Sequence, residues 1–189
     1  VSPTSLSNSE DQEPLKIHEV YQRLIQDNGR NQCIANDVRS CLKAGRHVVV
    51  ITERTEHLNV LQNLLCDVPN VFVMQGGMGR KRLASVQDAY FAVPKNESKV
   101  LLATGRFLGE GFDDSQLDTL FLTMPISWKG TLAQYAGRLH RLFDQKLSVQ
   151  IYDYVDENNA MTLKMFQRRS KGYKQIGYQL IGLEKELLC

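Results

Sequence analysis

The sequence predicts an α/β fold: a mostly parallel β-sheet with helices on both faces. Three observations lead there. Short apolar runs rich in branched residues alternate with longer segments of helical period. The runs are near-continuously apolar, as strands covered on both faces are. Strand–helix–strand repetition then favours parallel pairing with crossover helices.

Taken in order, residues 15–44 read as helical, because Leu15, Val20, Leu24, Ile25, Ile34, Val38 and Leu42 recur near the helical period, with a break at Asn28-Gly29. His47-Val48-Val49-Val50-Ile51 is too short for a helix and reads as a buried strand. Thr52 to Thr55 turns into a helix over 55–66 with Leu58, Leu61, Leu64 and Leu65 inward. Val71 to Met74 is a second strand, Gly76-Gly77 a turn, and a helix follows near 79–92. Lys99 to Ala103 is a strand, and Leu117 to Met124 another, stopped by Pro125. A helix covers 130–141, Ser148 to Tyr152 is the last strand, and a helix runs from 157 to 170. Ligands of such sheets bind at the carboxyl ends of the strands. The loops beginning at Thr52, Gln75, Thr104 and Pro125 are therefore expected to line one functional edge.

Composition narrows the class. The chain has 189 residues, 42% of them hydrophobic, and a net charge of +2, which suits a soluble globular domain and names no partner by itself. Residues 1–14 carry Glu10, Asp11 and Glu13 and no base. Residues 164–174 carry Lys164, Arg168, Arg169, Lys171 and Lys174 and no acid, a run that reads as a solvated helix face or a nucleic-acid contact. Lys95 to Lys99 reads as a surface loop. Cysteines 33, 41, 66 and 189 form no C-x-x-C pair and match no zinc spacing, so free thiols in a reducing, cytoplasmic setting are expected, with no metal ligands. No apolar run reaches the length of a membrane span, and no signal peptide is present. Val1, in a Ser/Pro/Asn/Glu-rich stretch, suggests a domain cut from a longer polypeptide. The expected division is a flexible linker (1–14), an N-terminal helical segment (15–44), the α/β domain (45–155) and a C-terminal helical extension (156–189).

Two motifs carry chemistry. Thr104-Gly105-Arg106-Phe107-Leu108-Gly109-Glu110-Gly111-Phe112-Asp113-Asp114 follows a strand, and its glycines allow the backbone close to a ligand. A plain turn has the same look. Gln134-Tyr135-Ala136-Gly137-Arg138-Leu139-His140-Arg141 reads Q-x-x-G-R-x-x-R. On a helix, Gln134, Arg138 and Arg141 share one face. Two guanidiniums there suit the charge on a transferring phosphoryl group, and a solvated basic helix has the same spacing.

The order strand, T-G-R-x-x-G-E-G-x-D, strand, Q-x-x-G-R-x-x-R resembles the second, C-terminal RecA-like domain of superfamily 2 DEAD/DEAH-box helicases, where the two elements are motifs V and VI. The resemblance covers roughly 45–155, with Thr52-Glu53-Arg54-Thr55 in the place of motif IV. The wider wording is similar to bacterial restriction- and defence-type helicases. The resemblance implies a RecA-like fold and these roles. Arg141 resembles the arginine finger and Arg138 its partner on the phosphates. Gln134 resembles a nucleotide sensor, and Gly111 and Asp113 the positions on the ribose side. Thr104, Gly105 and Arg106, with the Gly76-Gly77 turn, resemble the holders of the nucleic-acid backbone. Glu110 and Gln134 depart from the arginine and histidine usual in DEAD-box RNA helicases, which favours DNA as the partner and leaves RNA possible. Trp128, beside the Pro125 loop, is a packing anchor or a base-stacking residue.

No G-x-x-x-x-G-K-[ST] loop and no D-E-x-[DH] occur in the chain. The resemblance therefore implies half of an active site, with ATP and Mg²⁺ held by an N-terminal RecA-like domain of the same polypeptide. The fragment alone is expected to be inactive. The alternative is a non-catalytic RecA-like nucleic-acid-binding scaffold. A nucleotide-binding metabolic enzyme is disfavoured, because no G-x-G-x-x-G follows the first strand.

Overall fold

Two cores, one on each face of a single sheet, organise the chain. The computed structural model describes residues 16–109, 112–126, 131–143 and 146–182, those at 109 and 131 by their backbone. Five strands, β1 (Val48–Thr52), β2 (Val71–Met74), β3 (Val100–Thr104), β4 (Thr119–Leu122) and β5 (Gln150–Asp153), pair in the order β2-β3-β1-β4-β5. Every pairing is parallel. The helices are α1 (Ile17–Gln26), α2 (Asn28–Lys43), α3 (Thr55–Leu64), α4 (Arg80–Ala92), α5 (Gly105–Gly109), α6 (Thr131–Leu139) and α7 (Ala160–Gln175).

The twofold side-chain period of a strand divides the apolar runs between the faces. Val48, Val50, Val100, Leu102 and Phe121 pack with Ile34, Ala35 and Val38 of α2 and Leu58 and Leu61 of α3. Val49, Ile51, Leu101, Ala103, Leu120 and Leu122 pack with Tyr90 of α4, Leu108 of α5, Leu132, Tyr135 and Leu139 of α6 and Tyr173 of α7. All five residues of β1 are buried. Each large apolar side chain so covered is worth about 1.5–3 kcal/mol. The expected strands are present, displaced by a residue or two at their ends.

Several expectations change. The break between the first two helices falls at Asp27, whose carboxylate accepts from the Arg30 N–H at 2.9 Å and so caps α2. The glycine loop after β3 starts as α5. The C-terminal helix runs from Ala160 to Gln175, capped by Asn159, whose side chain accepts from Met161 N and Thr162 N. The basic run is not wholly solvated: Arg169 is 1% exposed. Its guanidinium donates to both Asp153 oxygens at 2.7 and 2.8 Å and to the Ile126 carbonyl at 2.8 Å. Lys99 is likewise no surface residue. It lies 3.0 Å from Asp114, with its ammonium 4.1 Å from the Tyr90 ring centre. A third buried pair joins Arg30 to Asp156 at 3.3 Å.

The segments flanking the central domain share its packing. Val20, Leu24 and Ile25 of α1 cluster with Met124. The Tyr21 hydroxyl donates to the Pro125 carbonyl at 2.8 Å, and the Arg54 guanidinium lies over the Tyr21 ring. No helix of the described residues is long and apolar enough to cross a membrane.

A buried polar chain runs below the carboxyl ends of β1 and β4. His57 is fully buried, with Nε2 2.8 Å from the Asn31 amide oxygen and Nδ1 3.1 Å from the Thr52 hydroxyl. The amide oxygen can only accept, so Nε2 carries the proton and Nδ1 accepts from Thr52. Burial, reinforced by the Arg30 charge, pushes the imidazole pKa down to about 3. The unfolded chain takes up that proton near the ordinary value of 6.5. A group whose folded pKa is depressed contributes stability above its unfolded pKa and loses it as pH falls toward the folded one. Lowering the pH from about 7.5 to about 5 should therefore remove about 2 kcal/mol through His57, at 1.36 kcal/mol per unit. Urea unfolding at both pH values checks this: the stability gap between wild type and His57→Gln should narrow by that amount at the lower pH. A gap independent of pH would contradict it.

Candidate functional site

The parallel sheet brings the ends of β1, β2, β3 and β4 to one edge, and the segments beginning at Thr52, Gln75, Thr104 and Pro125 all start there. At that edge the Gly76 N–H faces the Thr104 hydroxyl at 3.5 Å. Gly77 has a φ of +84°, a left-handed conformation that glycine takes without a side-chain clash. Gly76, Gly77 and Arg106 are exposed and Thr104 is half-buried. The turn after β2 and the T-G-R start of α5 thus form one continuous surface.

Gly105 stands at its centre. A Cβ there would collide with the Tyr135 hydroxyl and with Oε1 of Glu53, so both groups already fill the space beside its α-carbon. Glu53 is exposed over much of its surface, but its carboxyl end is desolvated in this contact, which holds its pKa above the ordinary value. Burial, helped by the Glu53 charge, raises the Tyr135 hydroxyl in turn.

The two arginines occupy a different part of the same face. Arg138 Nη1 donates to the Phe112 carbonyl at 2.6 Å. Arg141 Nε lies 3.2 Å from Asp113 Oδ1, and the two side chains are 53% and 46% exposed. Both arginines therefore meet consecutive residues of the glycine segment, as it runs from α5 back toward Asp114 and the Lys99 end of β3. The edge at Thr104 and the arginine pair are two surfaces, joined by α5 and α6.

The expected shared helix face needs correction. The helix ends at Leu139, and Arg141 lies in the bend beyond it. The Lys146 ammonium donates to the Leu139 and Arg141 carbonyls at 2.8 and 2.9 Å, satisfying acceptors that a longer helix would have used. Burial lowers the Lys146 pKa. Gln134 is exposed on α6. Gly111, together with Glu110 and Trp128, lies outside the described residues. Sequence reasoning missed Tyr135 and Glu53. Their signal was position alone: one falls inside Q-x-x-G-R-x-x-R, the other beside Thr52.

No protein-family model matches the chain, and no curated protein sequence matches it. Solved structures do. T4 UvsW aligns over 85% of this chain at 16% identity with a TM-score of 0.67. The C-terminal part of the Fun30 ATPase domain aligns over 77% at 14% identity with a TM-score of 0.63. S. cerevisiae Dbp5 bound to RNA and ADP BeF3 aligns over 82% at 18% identity with a TM-score of 0.54. The chain spans 35%, 46% and 37% of those three proteins respectively. At such identities the likeness speaks for architecture. Five parallel strands in the order β2-β3-β1-β4-β5, flanked on both faces by helices, make this a RecA-like α/β domain of the kind found in helicases.

Proposed function

We propose that this chain is the second motor domain of an ATP-dependent superfamily 2 helicase or translocase, close to the bacterial restriction- and defence-type enzymes. The observation that carries the reading is the pair of contacts from Arg138 and Arg141 to Phe112 and Asp113. Two guanidiniums are held beside one glycine segment, and that of Arg141 is half-exposed. A guanidinium presented this way, tethered by one surface carboxylate, can exchange that partner for phosphate oxygens. ATP and Mg²⁺ would sit against a facing N-terminal RecA-like domain of the same polypeptide, which would hold the metal. The bound nucleotide supplies the phosphoryl group whose cleavage drives the cycle. This chain's part is charge and position: Arg141 as the finger, Arg138 beside it, Gln134 on the neighbouring turn, and Asp113 and Gly111 toward the ribose. Fun30's ATPase domain and the Dbp5 complex with RNA and ADP BeF3 share the architecture and support the reading.

The Thr104, Gly105, Arg106, Gly76 and Gly77 surface would hold a nucleic-acid backbone, with DNA the favoured track. Backbone N–H groups, a hydroxyl and a guanidinium suit phosphates and carry no sequence information. Fluorescence anisotropy of the chain with labelled single-stranded DNA and RNA tests this half. Binding should weaken as salt rises, and Arg106→Ala should reduce the slope of log K against log[salt] by about 1. Absence of binding at low salt would remove the track from the reading.

A further inference from the structure

We propose that Tyr135 is the positioning residue through which a phosphodiester held at the Thr104–Arg106 edge alters the setting of Arg138 and Arg141. The inference rests on the track reading above and names a residue that reading does not use. Tyr135 is 2% exposed and lies on α6, three residues before Arg138. Its hydroxyl rests against the α-carbon of Gly105, the first residue of α5. The segment leaving the other end of α5 reaches Phe112 and Asp113, which hold Arg138 at 2.6 Å and Arg141 at 3.2 Å. The two segments are thus joined at both ends, by Gly105 to Tyr135 at the edge and by residues 112–113 to the arginines. Such a closed frame transmits a displacement instead of absorbing it, because packed interiors are not continuously deformable.

Glu53 supplies the reason for a displacement. Its Oε1 shares the space beside Gly105 with the Tyr135 hydroxyl. A phosphate arriving at the Gly105 N–H brings negative charge toward a carboxylate that is already poorly solvated. The carboxylate must give way, and Gly105 has no side chain to isolate the Tyr135 hydroxyl from the change. Tyr135 is the buried neighbour on the helix that leads to the arginines.

The test is a two-dimensional ¹⁵N NMR titration of the chain with single-stranded oligo-dT at low ionic strength. The backbone amides of Gly105 and Arg106 and the side-chain Nε–H signals of Arg138 and Arg141 are followed together. In the wild type all four should shift along one binding curve. In Tyr135→Phe, which keeps the ring and removes the hydroxyl, the amides should still shift with unchanged affinity while the arginine signals lose their response. Glu53→Gln, which removes the charge, should diminish that response. Arginine signals that stay still in the wild type while the amides move would overturn the coupling and leave the track intact. Arginine signals that still move in Tyr135→Phe would overturn the role of this residue. No shift at Gly105 or Arg106 would overturn the track, and the coupling with it. Should Tyr135→Phe fail to fold, the wild-type titration with Glu53→Gln still decides.

Discussion

Arg141→Ala is expected to lower ATP turnover by about 10³–10⁵-fold when this domain works opposite its nucleotide-binding partner, the range typical of a lost arginine finger. The contrast with stability makes the result informative. The Arg141–Asp113 pair is about half-exposed on both sides. Surface pairs of that kind contribute about 0–1 kcal/mol to folding. A large kinetic loss with a nearly unchanged melting temperature would therefore locate the effect in the transition state. Arg141→Lys should recover little, since an ammonium keeps the charge but loses the planar fork. Arg138→Ala should lower turnover as well, but with a measurable folding cost, because it also removes a 2.6 Å hydrogen bond to the Phe112 carbonyl. Steady-state turnover at saturating single-stranded DNA, beside thermal unfolding of each variant, separates these cases. If Arg141→Ala turns over at the wild-type rate, the pair is a surface ion pair and the non-catalytic scaffold becomes the better reading.

The sheet was legible because its strands are apolar on both faces. A run such as Val48-Val49-Val50-Ile51 has few other places to go, and it is buried throughout β1. The arginine motif was legible as a unit because its spacing is local. What escaped the sequence depends on partners far along the chain. Lys99 lies in a Pro/Asn/Ser-rich stretch that looks solvated, yet Asp114 and Gln116 meet it inside the protein. Arg169 sits among four other basic residues, and nothing in that run marks it as the one turned inward toward Asp153. The end of α6 escaped for a similar reason, since an ammonium from Lys146 takes the carbonyls that a longer helix would have bonded. Tyr135 reads from its spacing as an ordinary core aromatic, and it is one. Only the folded contact with Gly105 gives it a further part.

Arg169→Ala is expected to destabilise the domain by about 3–5 kcal/mol, the cost of breaking a buried ion pair by removing one partner. Arg169 and Asp153 side chains are 1% and 10% exposed. Removing the guanidinium leaves the Asp153 carboxylate with the Tyr173 hydroxyl at 2.9 Å and leaves the Ile126 carbonyl without its donor. For a domain of this size each kcal/mol shifts the melting temperature by about 2–4 °C, so a fall of roughly 6–20 °C should be seen. Arg169→Lys should recover only part of it, because one ammonium cannot reach two carboxylate oxygens and a carbonyl in the same geometry. Replacing the whole cluster, with Asp153→Leu and Tyr173→Phe added to Arg169→Leu, should recover most of the loss. That recovery would show that the cost lies in the stranded charge and not in lost packing. A cost under about 1 kcal/mol for Arg169→Ala would mean that water reaches Asp153. The cluster has a second consequence. Tyr21 from α1 holds the Pro125 carbonyl and Arg169 from α7 holds the next one, at Ile126. The segments before and after the sheet thus grip, from two directions, the stretch that leads from β4 into the arginine helix. Destabilising either grip should loosen the placement of Arg138 and Arg141 before it unfolds the sheet.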